Sequence, residues 1–471
     1  MPRFERLIEI QQKPRRLILG LMSGTSIDGL DLALCAFSGC GSDVKFEILH
    51  HGTVSYTDEQ QRVLRMLATQ EMVRMEDVCI YHTELSRWHA DIVRQALSEW
   101  GIDVGDVDLI ASHGQTVRHA PKRIHARGGL SNSTFQLGEP DHLAYLTGIL
   151  TLSDFRQKHV AAGGEGAPLA GYGDQLLFRD ASECRVLLNV GGISNITVLD
   201  PAADVASLPV TFDTGPGNTL MDFVVRTHFA PMKYDEGGKL AAEGVVNEDL
   251  LSELINHEFF SQNPPKTTGP EAFSPEYLYQ SMKMTGSEEI SPVDLLATLN
   301  RFTAETIAEG IQSGLKLSKE SRSDSTSIGN SSDMLNATSS TEYTSEELDE
   351  ISDENPFNKL AEGGIAPVDK SPEKTRFDLA TSDSTPPGPG TVRVLISGGG
   401  AHNKTLVDNL SECLKNIKVS DFSSIGVHPD AKEALFFAAM ANEFICGNTF
   451  VVQREDGSNA NVSFGKLSFP V

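Results

Sequence analysis

Twice along this chain, from Leu17 and again from Arg185, an apolar strand runs into a short Gly/Ser turn, two further strands follow, and a helix comes after them. The two copies share little residue identity; what repeats is the order of elements. Alternating strands and helices of this kind predict an α/β architecture. A chain of 471 residues has room for two or three such domains and an ample core. Two α/β halves facing each other across a cleft would bring both turns to one mouth.

The first copy is the more informative. Leu17 to Met22 is an apolar run that ends at Ser23-Gly24-Thr25-Ser26, and the turn continues through Ile27, Asp28 and Gly29. Leu30, Leu32 and Leu34 then alternate with Asp31, Ala33 and Cys35, as in a second strand of a hairpin. Free backbone N–H groups, two small hydroxyls and a carboxylate are the equipment for a polyphosphate and its Mg²⁺. A plain surface hairpin uses the same residue types, and this turn alone does not separate the two readings. Gly191-Gly192 and Ser397-Gly398-Gly399-Gly400 also follow predicted strands. Three such turns on a duplicated frame point to a phosphate-bearing ligand approached closely by backbone at several points. Neither a G-x-x-x-x-G-K-[ST] run nor an opening G-x-G-x-x-G is present.

Composition narrows the partners. A formal charge of −26 disfavours nucleic acid and anionic membranes. No stretch is long and apolar enough to span a bilayer, and the first residues do not read as a secretory signal. Six scattered cysteines without C-x-x-C pairs fit free thiols in a reducing, cytoplasmic setting. The expected division is a tail over 1–16, an N-terminal α/β domain over 17–183, and a C-terminal α/β domain over 184–317 and 391–471. Between the two parts of the latter, 318–390 is rich in Ser, Thr, Asp, Glu and Pro, and reads as a disordered acidic insertion. A homodimer is left open.

Candidate chemistry falls at predicted strand ends, where open α/β sheets bind ligands. Asp213, in Phe212-Asp-Thr-Gly-Pro-Gly-Asn218, is a candidate catalytic carboxylate; the competing reading is a helix cap. Asp28 and Glu433 are candidate Mg²⁺ carboxylates, although a lone Glu in a helix's first turn is more often a dipole partner. His113, Gln115, Gln136 and Arg156 suit recognition of a hydroxylated substrate, with a structural ion pair as the alternative for Arg156.

Eight motifs in order carry a resemblance. They are Ser23-Gly-Thr-Ser-Ile-Asp-Gly29, His113-Gly-Gln-Thr-Val117, Asp154-Phe-Arg156, Gly166-Ala-Pro-Leu169, Asn189-Val-Gly-Gly-Ile-Ser-Asn195, Asp213-Thr-Gly-Pro-Gly-Asn218, Pro264-Pro-Lys-Thr-Thr-Gly269 and Ser397-Gly-Gly-Gly400. Together the chain resembles the anhydro-N-acetylmuramic acid kinases and their relative levoglucosan kinase, over nearly its whole length except the N-terminus and the insertion. It departs from that pattern at Glu139, where the family often has Asp, and at Pro270, where it has Arg. The resemblance implies a two-domain actin/hexokinase-like fold with ATP in the cleft. It implies hydrolysis of a 1,6-anhydro bond coupled to phosphorylation of the freed O6. It also implies ATP phosphates on Gly24 to Asp31, Mg²⁺ on Asp28 and Glu433, and Asp213 as the base. The alternatives are a levoglucosan kinase and a non-catalytic nucleotide-binding regulator.

Overall fold

The structure is a computed structural model that describes residues 3–203, 208–269, 271–324, 391–428, 431–454 and 456–470. Pro270, Asp430 and residues 325–390 of the expected insertion lie outside the described residues.

The first sheet is built from β1 (Arg16–Ser23), β2 (Gly29–Ser38), β3 (Lys45–Ser55), β4 (Leu109–Ala120), β5 (Ser133–Leu137) and β6 (Thr151–Ser153). β1, β2 and β3 form an antiparallel meander, and β4 and β6 add in parallel on the other side of β1. The second sheet repeats the scheme with β7 (Glu183–Val190), β8 (Ile193–Leu199), β9 (Val210–Pro216), β10 (Thr391–Ser397) and β11 (Lys418–Asp421), ordered β11-β10-β7-β8-β9. An antiparallel β7-β8-β9 meander carries parallel β10 and β11 on its other side. The duplication expected from the order of elements is thus a duplication of sheet topology, the doubled α/β layout of an actin/hexokinase-like fold. Parallel neighbours need long crossovers, and helices supply them.

Strand periodicity divides the residues between two faces. On the first sheet Leu19, Leu21, Leu30, Leu32 and Leu34 pack with the helices Asp58–Thr69 and Met75–Trp100. Ile18, Ala33, Cys35 and Phe37 face the other way, into a core shared with Leu187, Leu199 and Leu395 of the second sheet. Two helices supply the filling of that shared core, Ala170–Phe178 and Lys432–Cys446, through Tyr172, Leu176, Leu435 and Phe437. Small residues permit the close approach. A Cβ on Gly20 of β1 would come within 1.8 Å of the Ala434 carbonyl oxygen, so only glycine fits beneath the closing helix. The outer face of the second sheet is covered by Pro292–Asp324 and Lys404–Leu414.

Four boundaries differ from expectation. Residues expected as a tail include the helix Arg3–Gln12, whose Ile10 is fully buried in the shared core. Residues 431–470, expected with the second domain, pack on the first. The helix Lys432–Cys446 lies against β1 and β2, and the chain ends in a hairpin, β12 (Phe450–Gln453) with β13 (Asn459–Val462), then β14 (Lys466–Ser468). β14 pairs antiparallel with β6, completing the first sheet's edge. The helix Pro292–Asp324 runs past the expected domain boundary at 317, and Leu315 and Leu317 still find the second sheet's core. Ser318, expected to open the insertion, instead donates its Oγ to Asp200 Oδ2 at 3.0 Å. Finally, His113 and Gln115, expected at a strand end, lie within β4, because β5 gives its outer half a partner.

Candidate functional site

The β1–β2 turn, residues 24–28, joins the two central strands of the first sheet's meander. Ile27 N–H closes it onto the Gly24 carbonyl at 3.2 Å, with Ile27 buried at φ 55°. Thr25, Ser26 and Asp28 are left exposed around it. Ser26 Oγ donates to Asp28 Oδ1 at 2.7 Å. Asp31, one strand step further, accepts from Thr53 Oγ1 at 2.5 Å, while Leu30 turns into the core. A Cβ on Gly29 would strike the Val54 carbonyl oxygen at 2.5 Å, which keeps this end of the turn tight against β3.

Beneath the turn lies a buried chain that the sequence did not advertise. Tyr56 spans the turn: its backbone N–H donates to the Asp28 carbonyl at 2.9 Å and its hydroxyl to Ser23 Oγ at 2.8 Å. Ser23 Oγ in turn donates to Gln115 Oε1 at 2.5 Å, and Gln115 Nε2 to the Thr116 carbonyl at 3.2 Å. His89 Nε2 lies 2.8 Å from the Tyr56 hydroxyl. With the Tyr56 proton given to Ser23, His89 must be the donor, so every hydrogen runs one way along the chain. Burial pushes the Tyr56 hydroxyl up and the His89 imidazole down to about 3, which keeps both neutral. Gln115, fully buried, therefore acts on the turn from below.

In the second half the Gly-rich motifs meet each other. Gly217 N–H and Asn218 N–H donate to the Gly192 and Gly191 carbonyls, each at 2.8 Å. A Cβ on Gly398 would lie 2.7 Å from the Val190 carbonyl oxygen, and one on Gly400 2.3 Å from Val190 Cγ1. Gly399 faces Asn218 Nδ2. Asp213, in β9, does not cap the helix Thr219–His228; Thr268 N–H donates to its Oδ2 at 2.9 Å, and its own N–H donates to the Lys266 carbonyl at 2.9 Å. Burial raises the Asp213 carboxyl, against the pull of the Thr268 N–H and the Thr267 side chain.

A charged cluster lies at the start of the helix Lys432–Cys446. Glu433 is open to solvent yet walled in by protein, as a side chain lining a cleft is, and burial raises its carboxyl despite Lys432 and Arg156 nearby. Lys432 Nζ pairs with the buried Asp174 at 3.1 Å. Arg156 Nε donates to His113 Nε2 at 2.8 Å and its Nη1 to the Gly166 carbonyl at 2.8 Å. His113 packs on the Phe437 ring and is held neutral by burial and by the Arg156 charge. Gln136 lies across from Thr116 on β5 and donates to Thr116 Oγ1 and Thr134 Oγ1.

Among the described residues no three His, Cys, Asp or Glu side chains converge as a metal cluster. Mg²⁺ takes one or two carboxylates and fills the rest of its shell with water and phosphate oxygens, so the exposed Asp28 and the cleft-facing Glu433 are a donor set it fits. His113, Arg156 and Glu433 thus come together; Gln115 joins Ser23; Asp213 stands with the 266–268 loop.

The family model for anhydro-N-acetylmuramic acid kinase matches residues 16–321 and 381–469. The chain belongs to the anhydro-N-acetylmuramic acid kinase family. It is 38% identical to the anhydro-N-acetylmuramic acid kinase of Pseudoalteromonas atlantica, covering 99% of this chain and 98% of that one. It is 35% identical to the anhydro-N-acetylmuramic acid kinase of Caldanaerobacter subterraneus, over 98% and 100% of the two chains. Among solved structures it is similar to a ROK hexokinase from Thermus thermophilus, at 12% identity over 90% and 96% of the chains with a TM-score of 0.32, a likeness too slight to argue from. The family match skips 322–380, within the acidic stretch, and includes both Asp213 and Glu433. Among the described residues no helix is long and apolar enough to cross a membrane.

Proposed function

We propose that this member of the anhydro-N-acetylmuramic acid kinase family is an ATP-dependent 1,6-anhydrosugar kinase, with Asp213 as its general base. Membership of the family supports the reaction class. The observation that carries the assignment to Asp213 is its carboxylate, half-buried at the far strand of the second sheet, raised by burial and tied to a loop instead of a helix end. A carboxylate whose pKa is raised by burial accepts a proton more readily than an ordinary one.

In this mechanism Asp213 takes a proton from water as the oxygen attacks the anomeric carbon. The C1–O6 bond breaks, and O6 attacks the γ-phosphorus of ATP with departure of ADP. The β1–β2 turn, Gly24 to Asp31, offers N–H and hydroxyl donors to the phosphates. Gly398 and Gly400 pack too closely on Val190 to carry a side chain, and with Gly191, Gly192 and Gly399 they are the backbone proposed to approach the nucleotide. Asp28 and Glu433 are the carboxylates proposed to hold Mg²⁺, which, when bound, offsets the charge developing on the phosphate oxygens. His113, Gln136 and Arg156 face the sugar side of the cleft in this reading, and Gln115 positions the turn.

The test is ADP release by the full-length protein with anhydro-N-acetylmuramic acid, 1,6-anhydro-N-acetylglucosamine, levoglucosan and N-acetylglucosamine. Turnover with an anhydrosugar and formation of the 6-phosphate is expected. ADP release with none of them would defeat the assignment, and preference for levoglucosan would move the substrate to the unsubstituted anhydrosugar.

A further inference from the structure

The far end of the helix Lys432–Cys446 meets the connection between β2 and β3. Hydrogen bonds dock that connection onto the helix's last turns. The Gly39 carbonyl accepts from Asn442 Nδ2 at 3.2 Å, and Gly41 N–H donates to Glu443 Oε2 at 2.9 Å. Arg16 of β1 joins them: its Nη2 donates to the Gly39 carbonyl and its Nε to Asn442 Oδ1, each at 2.8 Å. Cys40 lies between the two docked glycines. Cys446 follows Asn442 and Glu443 by four and three residues, which puts it on their side of the helix, one turn nearer its end. The two thiols accordingly meet, and Cys40 is the hydrogen-bond partner of Cys446.

Exposure and charge separate this pair from the other thiols. Cys35 is fully buried, and burial raises its thiol well above the ordinary range, which makes it inert. Cys79, on the helix Met75–Trp100, is exposed. Cys40 and Cys446 are each partly exposed, open enough for a small reagent. Burial raises the Cys446 thiol, the Cys40 contact and the Glu443 carboxylate add to that, and Arg16 pulls the other way. The first attack on a reagent therefore falls to Cys40, and Cys446 is the thiol that resolves.

We propose that Cys40 and Cys446 are a site of reversible oxidative modification, a dithiol that closes to a disulfide on reaction with a low-molecular-weight disulfide. The Cys40 thiolate attacks one sulfur of the reagent, whose S–S bond breaks, and the first reagent thiolate leaves. The Cys446 sulfur then attacks Cys40 Sγ in the mixed disulfide, gives its proton to solvent, and displaces the second reagent thiolate. Two electrons pass from the protein to the reagent, which ends as two thiols, and an added dithiol reverses the sequence. The product clips the helix that closes the first sheet to the strands it covers. Glu433 stands at the other end of that helix, about 20 Å away at 1.5 Å per residue, so the clip acts on the fold and not on the candidate site. Linking points near the two ends of the chain restrains the unfolded state over nearly its whole length, where loop closure counts most.

In the experiment the full-length protein is incubated with oxidised glutathione, the remaining thiols are alkylated, and peptides are mapped without reduction. The expected product is a Cys40–Cys446 disulfide with no glutathione kept on either residue. Its Tm should rise by on the order of 5 °C, and dithiothreitol should reverse both changes. Cys446→Ala should instead hold glutathione on Cys40 and show no rise in Tm. Mapping of the parent needs no variant, so it decides even where Cys446→Ala fails to fold. Alkylation of both Cys40 and Cys446 in the parent, with glutathione on the exposed Cys79, overturns the site. So does glutathione retained on Cys40 or Cys446 in the parent, because the two thiols then stand too far apart to resolve. A disulfide that forms with no rise in Tm overturns the clip. None of these readouts depends on the sugar the protein takes.

Discussion

Arg156 Nε donates to His113 Nε2 at 2.8 Å, and His113 Nδ1 lies 2.8 Å from the Gly114 carbonyl oxygen. The imidazole can satisfy both only as the neutral Nδ1–H tautomer, since its Nε2 must accept. The pair ties β4 to the segment after β6, and it makes His113 an acidic-pH liability.

His113 and His89 are both lowered to about 3 by burial. Their unfolded values lie near 6.5, so between about 3 and 6.5 the unfolded chain binds more protons than the folded one. Stability is therefore complete above about 6.5 and lost as pH falls through that window, by up to about 1.4 kcal/mol per pH unit for each imidazole. Denaturant midpoints at pH 7, 6 and 5 should decline in order. A midpoint that rises on acidification would mean that these rings gain a partner when charged.

Asp213→Asn should lower ADP release and sugar phosphate formation together, by about 10²–10⁴, with ATP affinity little changed. Asn caps helices as well as Asp does, but position 213 caps none, so near-parental turnover would remove Asp213 from the chemistry. The acid limb of kcat/KM in the parent should be shifted upward from the ordinary Asp value, because burial raises this carboxyl and the base works only when ionised.

Asp28→Asn and Glu433→Gln should each raise the Mg²⁺ concentration needed for half-maximal activity more than they raise the KM for sugar. Losing one hard-cation carboxylate weakens the metal where the rest of its shell is water and phosphate. Titration curves that overlay the parent's would show that neither residue is a ligand.

Replacing 325–390 with a flexible Gly/Ser linker of about a dozen residues should leave turnover and Tm close to the parent's, since loop-closure entropy varies slowly with length. The cut starts after Asp324 because the helix, and the Ser318–Asp200 contact within it, extend that far. A large drop in Tm would show that the acidic stretch packs on the folded chain.

The sequence carried its information unevenly, for physical reasons. Leu30, Leu32 and Leu34 announced β2 because alternation is a local signal, and they do occupy one face. The Gly191, Gly217 and Gly398 motifs were recognisable one by one, while their mutual contact is a matter of sheet pairing across two hundred residues of chain. Asp213 stood out through its motif, but whether it capped a helix depended on Thr268, which lies far along the chain. Tyr56 and His89 gave no signal, since a tyrosine after one strand and a histidine within an amphipathic helix look like ordinary core.

The first sheet takes its strands from both ends of the chain. β1 to β6 are made early, but the helix that covers Gly20 and the strand that pairs with β6 come from residues 432–468. A nascent chain leaving the ribosome must carry an exposed apolar face and an open strand edge through the synthesis of the whole second unit and the acidic stretch. Domains generally fold as units in order of emergence, and exposed edges of this kind are where aggregation begins. In this protein the unit synthesised first is the one completed last.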